Sequence, residues 1–431
     1  MENEEKVYKT VIITDEYKKI LDDVNKGEKQ IFITGNAGTG KSTLLNYLLS
    51  LKSCVVVAPT GVAATNVKGM TIHSFFNISP VEANIYKTRP LTDKRAELLF
   101  KADAIVIDEI SMVSALLLDQ INIVCQRSLK SKEPFGGKQI IMFGDVGQLQ
   151  PVVNDSLQKQ LAKQYSSMMF FDSYVFKTCC PDTKYHCLTK NFRQQDLTFS
   201  SILDSIRVGN IKPEHITALN KRVVDDNTDD TQAVYLASTN DVVNSLNDIM
   251  LDDIKEKIFE FKALVTGKFK IANTVLVENL KLKKGCKIMM LSNDPKGNFI
   301  NGTIGFFENY LEDDHKVVVS INSVKYKVDP IAHEEIQYEL NEMGAIISKP
   351  IGSFQQFPIK VGYAITIHKS QGMTFDNIIV LNQRGFFGEG QGYVALSRCR
   401  TLEGIVLEVP IRKSDFKTNH YSINWLKEKI V

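Results

Sequence analysis

The chain has 431 residues, of which 43% are hydrophobic and 24% charged. That is globular composition, and it excludes a mainly disordered chain, a collagen-like repeat and a disulfide-held miniprotein. Lys and Arg number 52 against 50 Asp and Glu, a net charge of +2, which neither demands nor excludes nucleic acid, because one groove can be basic while the whole chain is not. The 7 cysteines (Cys54, Cys125, Cys179, Cys180, Cys187, Cys286 and Cys399) show no C-x-x-C pair and no zinc spacing. Buried thiols in a reducing compartment are expected. No apolar run is long enough to span a bilayer, and the acidic start Met1 to Lys6 is neither a secretory leader nor a transit peptide. The expected compartment is the cytoplasm, of bacterial or phage type, with no membrane partner.

Near-continuous apolar runs at 30–34, 53–58, 104–107 and 139–143 read as strands buried on both faces. Helical patterns, for example at 42–51 and 115–128, separate them, which is the alternation of a parallel α/β sheet. A second set of strand patterns at 233–237, 377–381 and 404–408 predicts a second α/β domain, with 173–182 as the linker. Short strand patterns at 287–291, 304–310, 316–321 and 324–328 lie between members of that set. Turn residues at 293–298 and at Asn301-Gly302 punctuate them, and the spacing predicts a small antiparallel barrel. There is no internal repeat.

The strongest chemical signal is Gly35-Asn36-Ala37-Gly38-Thr39-Gly40-Lys41-Ser42, followed by Thr43. It fits G-x-x-x-x-G-K-[ST] after a predicted strand and before a predicted helix. The glycines let backbone N–H groups face phosphate oxygens, and the helix N-terminus adds positive potential. Lys41 can reach the β- and γ-phosphates of ATP, and Ser42 can hold Mg²⁺. Asp108 and Glu109 end a predicted buried strand, where α/β proteins place ligands. Asp108 suits the magnesium shell, and Glu109 suits a general base on water. Gln148, on the loop after the fourth strand, can touch a γ-phosphate and report its loss. Arg193 and Arg398 sit in the second half, from which an arginine can stabilise transition-state charge or simply make a surface ion pair. Phe192 suits either adenine stacking or core packing. Thr60 suits a phosphate contact, and His73 and Phe75 suit base stacking or burial. Thr366 to Gly372 is a second polar cluster around His368.

In their order, these motifs resemble those of superfamily 1 helicases, and more narrowly the petite-integration-frequency (PIF) family of 5′-to-3′ DNA helicases. The resemblance runs from Ile31 to about Val406. It is carried by the phosphate loop, Ala58-Pro59-Thr60-Gly61, Ile107 to Met112, Gly144-Asp145 to Pro151-Val152 and Leu188 to Gln194. It continues through Leu236 to Asn240, Asn301 to Gly305, His368 to Gly372 and Tyr393 to Arg398. A predicted helix ending near Arg127, then Pro134-Phe135-Gly136-Gly137, favours this family over RecD-type and phage helicases.

The resemblance implies an α/β protein of two RecA-like parallel-sheet domains. Residues 1–75 and 102–175 would form the first, with ATP bound to it and a duplex-splitting insertion at 76–101. Residues 183–281 and 356–431 would form the second, with an SH3-like β-barrel inserted at 282–355. Arg193 and Arg398 become arginine fingers and Gln148 the coupling sensor. Pro59, Thr60, His73, Phe75, Thr239, Asn240, Thr366 and His368 become DNA contacts. The implied activity is ATP- and Mg²⁺-dependent unwinding of tailed duplex DNA, and of G-quadruplexes, in replication, repair, recombination or telomere maintenance, by a monomer or weak dimer on single-stranded DNA. Two other readings stand beside it: the motor subunit of a nuclease or recombination complex, and a nucleic-acid-stimulated NTPase that displaces proteins. One departure stands out: Tyr17 falls where the family has an adenine-reading glutamine.

Overall fold

The computed structural model describes residues 12–430 except 80–83, 152–157, 160, 193–195, 226–232, 270–275, 293, 295, 300, 341–345 and 384. The first sheet contains β1 (Gln30–Gly35), β2 (Cys54–Ala58), β3 (Met70–Thr71), β4 (Ala104–Ile107), β5 (Gln139–Phe143) and β6 (Lys184–Leu188). Their order is β3-β2-β4-β5-β1-β6, and every pairing is parallel. Side chains alternate across the pleat. Ile31 and Ile33 pack on Tyr17, Ile20, Leu44 and Leu48, whereas Phe32 shares the opposite layer with Ile105, Ile107 and Met142. Burial on both faces explains the continuous apolar runs.

The helix Asp15–Lys26 starts where the Thr14 side chain accepts from the Tyr17 N–H and stops at Gly27, in the left-handed region at φ 79°. Its residues Tyr17, Ile20 and Val24 form the buried stripe. The family-signature turn is also built locally. Phe135 and Gly136 both take positive φ, and the Phe135 N–H donates to Asn122 Oδ1 at 2.7 Å.

The segment 173–182 is not the linker that the strand pattern suggested. The helix Tyr174–Cys179 buries Val175 and Phe176 in the first core, and β6 pairs with β1, so the first sheet runs on to Leu188. The segment 76–101 is also tied to that core. Its helix Asp93–Lys101 buries Leu98 and Leu99, and Arg95 donates to the carbonyls of Ser74 and Phe75.

Beyond β7 (Val234–Ala237) the chain leaves the parallel pattern for ten strands among the described residues. These are β8 (Ile258–Lys262), β9 (Leu264–Gly267), β10 (Asn279–Lys283), β11 (Lys287–Met290), β12 (Ile304–Leu311), β13 (Lys316–Ile321), β14 (Val324–Val328), β15 (Ile331–Leu340), β16 (Ile346–Gln356) and β17 (Ile359–Val361). They form a five-stranded antiparallel sheet, β14-β13-β12-β11-β17, a β10-β8 pair and a β15-β16-β9 sheet. The antiparallel region is therefore wider than 282–355 on both sides. The chain then returns as β18 (Ala364–Thr366), β19 (Ile378–Val380) and β20 (Ile405–Leu407), which complete a parallel sheet of order β18-β7-β19-β20.

The last helix, His420–Lys429, starts against the second domain at Gly209 but buries its apolar stripe in the first. Ile423 and Leu426 are buried in the first core, and Trp425 stacks on Phe171 with centroids 4.2 Å apart and planes 9° apart. The assignment of 356–431 to the second domain thus fails at its end. Among the described residues, no helix is long and apolar enough to cross a membrane.

Candidate nucleotide pocket and nucleic-acid face

β1 ends under the phosphate loop, and the helix Lys41–Leu51 begins at Gly40, left-handed at φ 85°. A Cβ at Gly40 would sit 2.4 Å from the Tyr17 hydroxyl, so the position admits only glycine on two counts. The Tyr17 side chain is buried, and its hydroxyl donates to the Gly40 carbonyl at 2.8 Å. Tyr17 therefore props the loop from below, and its one donor is already used. Lys41 Nζ donates to the carbonyls of Gly35 (2.6 Å) and Asn36 (3.0 Å), which holds the ammonium across the loop. Burial lowers its pKa, against the pull of Asp145 and Glu109.

Asp108 and Glu109 follow β4 directly. Glu109 takes a left-handed backbone, φ 50° and ψ 45°, which is strained for a residue with a Cβ. Such strain, held by its surroundings, is typical of functional positions. Burial pushes the Asp108 carboxyl up to about 6. Burial and then the neighbouring Asp108 push Glu109 up to about 7. Glu109 thus titrates where a general base is effective. Ser42 and Asp108 supply two hard oxygens beside the phosphate loop. That set suits Mg²⁺, which keeps several waters and takes its other ligands from phosphate. Among the described residues, no cluster of three or more His, Cys, Asp or Glu side chains offers an all-protein metal site.

The loop after β5 meets the second domain. Asp145 is fully buried, and Arg207 donates to its Oδ1 through Nε (2.9 Å) and Nη2 (2.8 Å). Burial alone would raise the Asp145 carboxyl, but Arg207 and Lys41 outweigh it and hold the group below the usual carboxylate range. The other Asp145 oxygen accepts from Gln148 Nε2 at 3.2 Å, and Gln148 Oε1 accepts from Gln371 Nε2 at 3.1 Å. Elsewhere the Ala37 N–H donates to the Tyr393 hydroxyl at 3.0 Å, and the Asn36 amide donates to Asp204. Among the described residues these contacts link the phosphate-loop side to the second domain.

A cavity of about 330 Å³ opens between the two sides. Ala37 to Thr43, Glu109 and Gln148 line it from the first domain, Gly372 and Arg398 from the second, and Phe192 from the chain between them. Arg398 is buried, with Nε donating to the Val394 carbonyl at 2.9 Å and Nη2 to Ser397 Oγ at 2.9 Å. Phe192 is 44% exposed at the mouth of the loop, its ring 3.6 Å from where a Cβ at Gly40 would be, and Lys190 Nζ lies over the ring 5.2 Å from its centroid. Arg193 lies outside the described residues.

The remaining candidates gather at the carboxyl ends of strands in both sheets, the side where α/β sheets bind ligands. Pro59 and Thr60 follow β2, Thr239 and Asn240 follow β7, Thr366 ends β18 and His368 follows it. Thr239 and Asn240 are exposed. His73 and His368 are half-buried, and burial lowers both pKa values. Two candidates differ from expectation. Phe75 is 1% exposed and packs edge-on against Phe76, so it is a core residue with no face for a base. Thr366 is also buried, and its hydroxyl accepts from the Lys369 N–H at 3.2 Å, which shapes the loop and leaves its surface to others.

Arg207, Gln371, Asp204 and Tyr393 escaped the motif reading. Arg207 closes the helix Leu197–Arg207 and belongs to no short motif. Gln371 and Tyr393 lie inside quoted motifs but have no phosphate-binding or acid–base signature of their own.

A phosphate loop set against a second parallel sheet across a polar cleft defines a P-loop nucleotide-dependent machine of two paired α/β domains. Comparison with known proteins narrows this. The family described as PIF1-like helicase matches residues 12–216. The human ATP-dependent DNA helicase PIF1 is 32% identical over 411 residues, covering 91% of this chain and 60% of its own length. The chain therefore spans about three-fifths of that relative. ATP-dependent DNA helicase Pif1 of Bdellovibrio bacteriovorus is 31% identical over 409 residues, covering 92% of this chain and 87% of its own. Pif1 from Bacteroides sp, 34% identical with 97% of each chain covered, superposes with a TM-score of 0.88 in its unliganded structure and 0.69 when bound to ssDNA. The chain belongs to the PIF1-like helicase family.

Proposed function

We propose that this chain is an ATP-driven motor that moves 5′ to 3′ along single-stranded DNA and separates the duplex ahead. The observation that carries the reading is the shared pocket, in which the phosphate loop and Glu109 face Arg398 and Gly372 of the other domain. Nucleotide in such a pocket touches both domains, so its hydrolysis changes how they sit together.

In this reading the loop N–H groups and Lys41 cradle the phosphates. Ser42 and Asp108 would hold Mg²⁺, which would supply positive charge against the phosphates. Glu109, held near neutrality by burial, takes the proton of the attacking water. Arg398 and Arg193 act as arginine fingers on the γ-phosphate, Gln148 senses it, and Phe192 stacks on the base. Because Tyr17 has already used its donor on Gly40, base recognition rests on stacking, which every nucleobase can satisfy.

The strand would cross the carboxyl ends of both sheets, over Pro59, Thr60, His73, Thr239, Asn240 and His368. The five-stranded antiparallel sheet serves as the SH3-like module, and the segment 76–101 parts the duplex. Movement needs different DNA affinity in the two nucleotide states, since equal affinity shifts nothing. Three matched duplexes test the reading: 5′-tailed, 3′-tailed and blunt, with ATP and Mg²⁺. Opening of the 5′-tailed duplex alone, abolished by Lys41→Ala, is expected. Opening of the 3′-tailed duplex alone refutes the polarity, and unchanged ATP turnover in Lys41→Ala refutes the site.

A further inference from the structure

Four side chains make an unbroken chain from the second domain into the first and back: Arg207, Asp145, Gln148 and Gln371. The chemistry of the first three dictates what the fourth must be. Asp145 is buried and paired with Arg207, so its carboxylate is ionised and can only accept. The Gln148 group facing it must therefore be the NH₂, which turns Gln148 Oε1 toward the second domain. Only a donor can meet that oxygen, and Gln371 supplies it at 3.1 Å.

Gln371 is joined just as directly to the loop after β18. Its N–H donates to the His368 carbonyl at 3.3 Å. Lys369 and Ser370 are pinned to Thr366 by further turn bonds, and Ser370 Oγ donates to the Ile367 carbonyl at 2.8 Å. A turn bonded at nearly every residue moves as one piece. A shift of Gln371 therefore displaces His368.

We infer that Gln371 is the positioning residue that ties the state of the nucleotide, through Gln148, to the grip of the His368 loop on DNA. The inference rests on the proposed motor reading. Linkage makes the tie measurable: if nucleotide changes DNA affinity, DNA changes nucleotide affinity by the same factor.

The test is the dissociation constant of a fluorescent oligo-dT strand with ADP and with a non-hydrolysable ATP analogue. It is measured for the native chain, Gln371→Glu and Gln371→Ala. Glu keeps the shape, removes the donor and places negative charge against Gln148 Oε1; Ala removes the donor without adding charge. The native chain is expected to show a ratio of about tenfold between the two states, within the usual range of allosteric coupling. Both variants are expected to lower that ratio below about threefold. A variant that binds DNA more weakly in both states with the native ratio kept has only a structural defect, and that result overturns the inference. So does a native ratio in Gln371→Ala. A native chain with no ratio at all overturns the motor reading instead, which keeps the two failures distinct.

Discussion

Arg207→Met is the sharpest test of how the domains are joined. The substitution keeps an apolar stem and removes the guanidinium, so Asp145 is left charged and buried. The Arg207 side chain is 11% exposed and that of Asp145 is 0% exposed. Breaking such a pair from one side costs about 3–5 kcal/mol. Asp145 would keep the Gly147 N–H at 3.0 Å and the Gln148 amide at 3.2 Å, which places the loss at the lower end, about 3 kcal/mol. For a domain of this size that is a fall of roughly 6–12 °C in Tm. Urea unfolding can be followed through Trp425, the 1 tryptophan of the chain, which reports on the first core through its stack on Phe171. Adding Asp145→Asn should recover most of the loss, because the stranded charge is then gone, and the cycle isolates the pair. A loss for Arg207→Met below about 1 kcal/mol, the worth of an exposed pair, would refute the reasoning.

Other outcomes follow from single residues. Glu109, the proposed base, has its pKa raised to about 7 and could take a proton only when deprotonated, so kcat should climb with pH below that value and level off above it. Glu109→Gln should flatten the profile at a low rate, and an unchanged profile would remove Glu109 from the role. Phe192→Ala should weaken ATP binding by about 1–3 kcal/mol, the worth of one stacked base, and GTP binding by the same amount, as equilibrium titration can show. Trp425→Ala deletes the ring at the centre of the Phe32, Phe170, Phe171 and Phe176 cluster and should cost about 3–5 kcal/mol, read by thermal denaturation followed by circular dichroism.

The parts of the fold that local pattern can encode were legible. The runs predicted at 104–107 and 139–143 are β4 and β5, because a strand covered on both faces leaves an apolar run and little else. The phosphate loop was legible because glycine, lysine and serine are each required at a set spacing. What stayed hidden was partnership. Lys184–Leu188 alternates weakly, and nothing local says that its neighbour is β1, more than 140 residues earlier. His420–Lys429 has an apolar stripe, but the stripe does not name the first core as its socket. Arg207 was invisible for the same reason, since an arginine at a helix end is ordinary until its carboxylate is found in another domain. Phe75 was misread because an aromatic beside a histidine suits a base as well as a core, and only burial decides between them.

The two seams between the domains differ in chemistry, and that difference shapes how the molecule can move. At the nucleotide cleft Leu149 and Ala37 pack into the second core, but the directional joints are polar: Asn36 with Asp204, Ala37 with Tyr393, Gln148 with Gln371, and Asp145 with Arg207. The first three are neutral or half-exposed hydrogen bonds, worth about 0.5–1.5 kcal/mol each, and water can replace them when the cleft opens. At the chain's end the joint is apolar: Ile423, Trp425 and Leu426 sit among phenylalanines, and pulling them out exposes oily surface that water does not compensate. A hinge needs one seam that holds and one that parts. On these energies the Trp425 seam is the one expected to hold and the cleft the one expected to part, with the buried Asp145–Arg207 pair its strongest polar contact. In the proposed motor reading, nucleotide would then act on the three weak polar joints, together worth no more than about 1.5–4.5 kcal/mol.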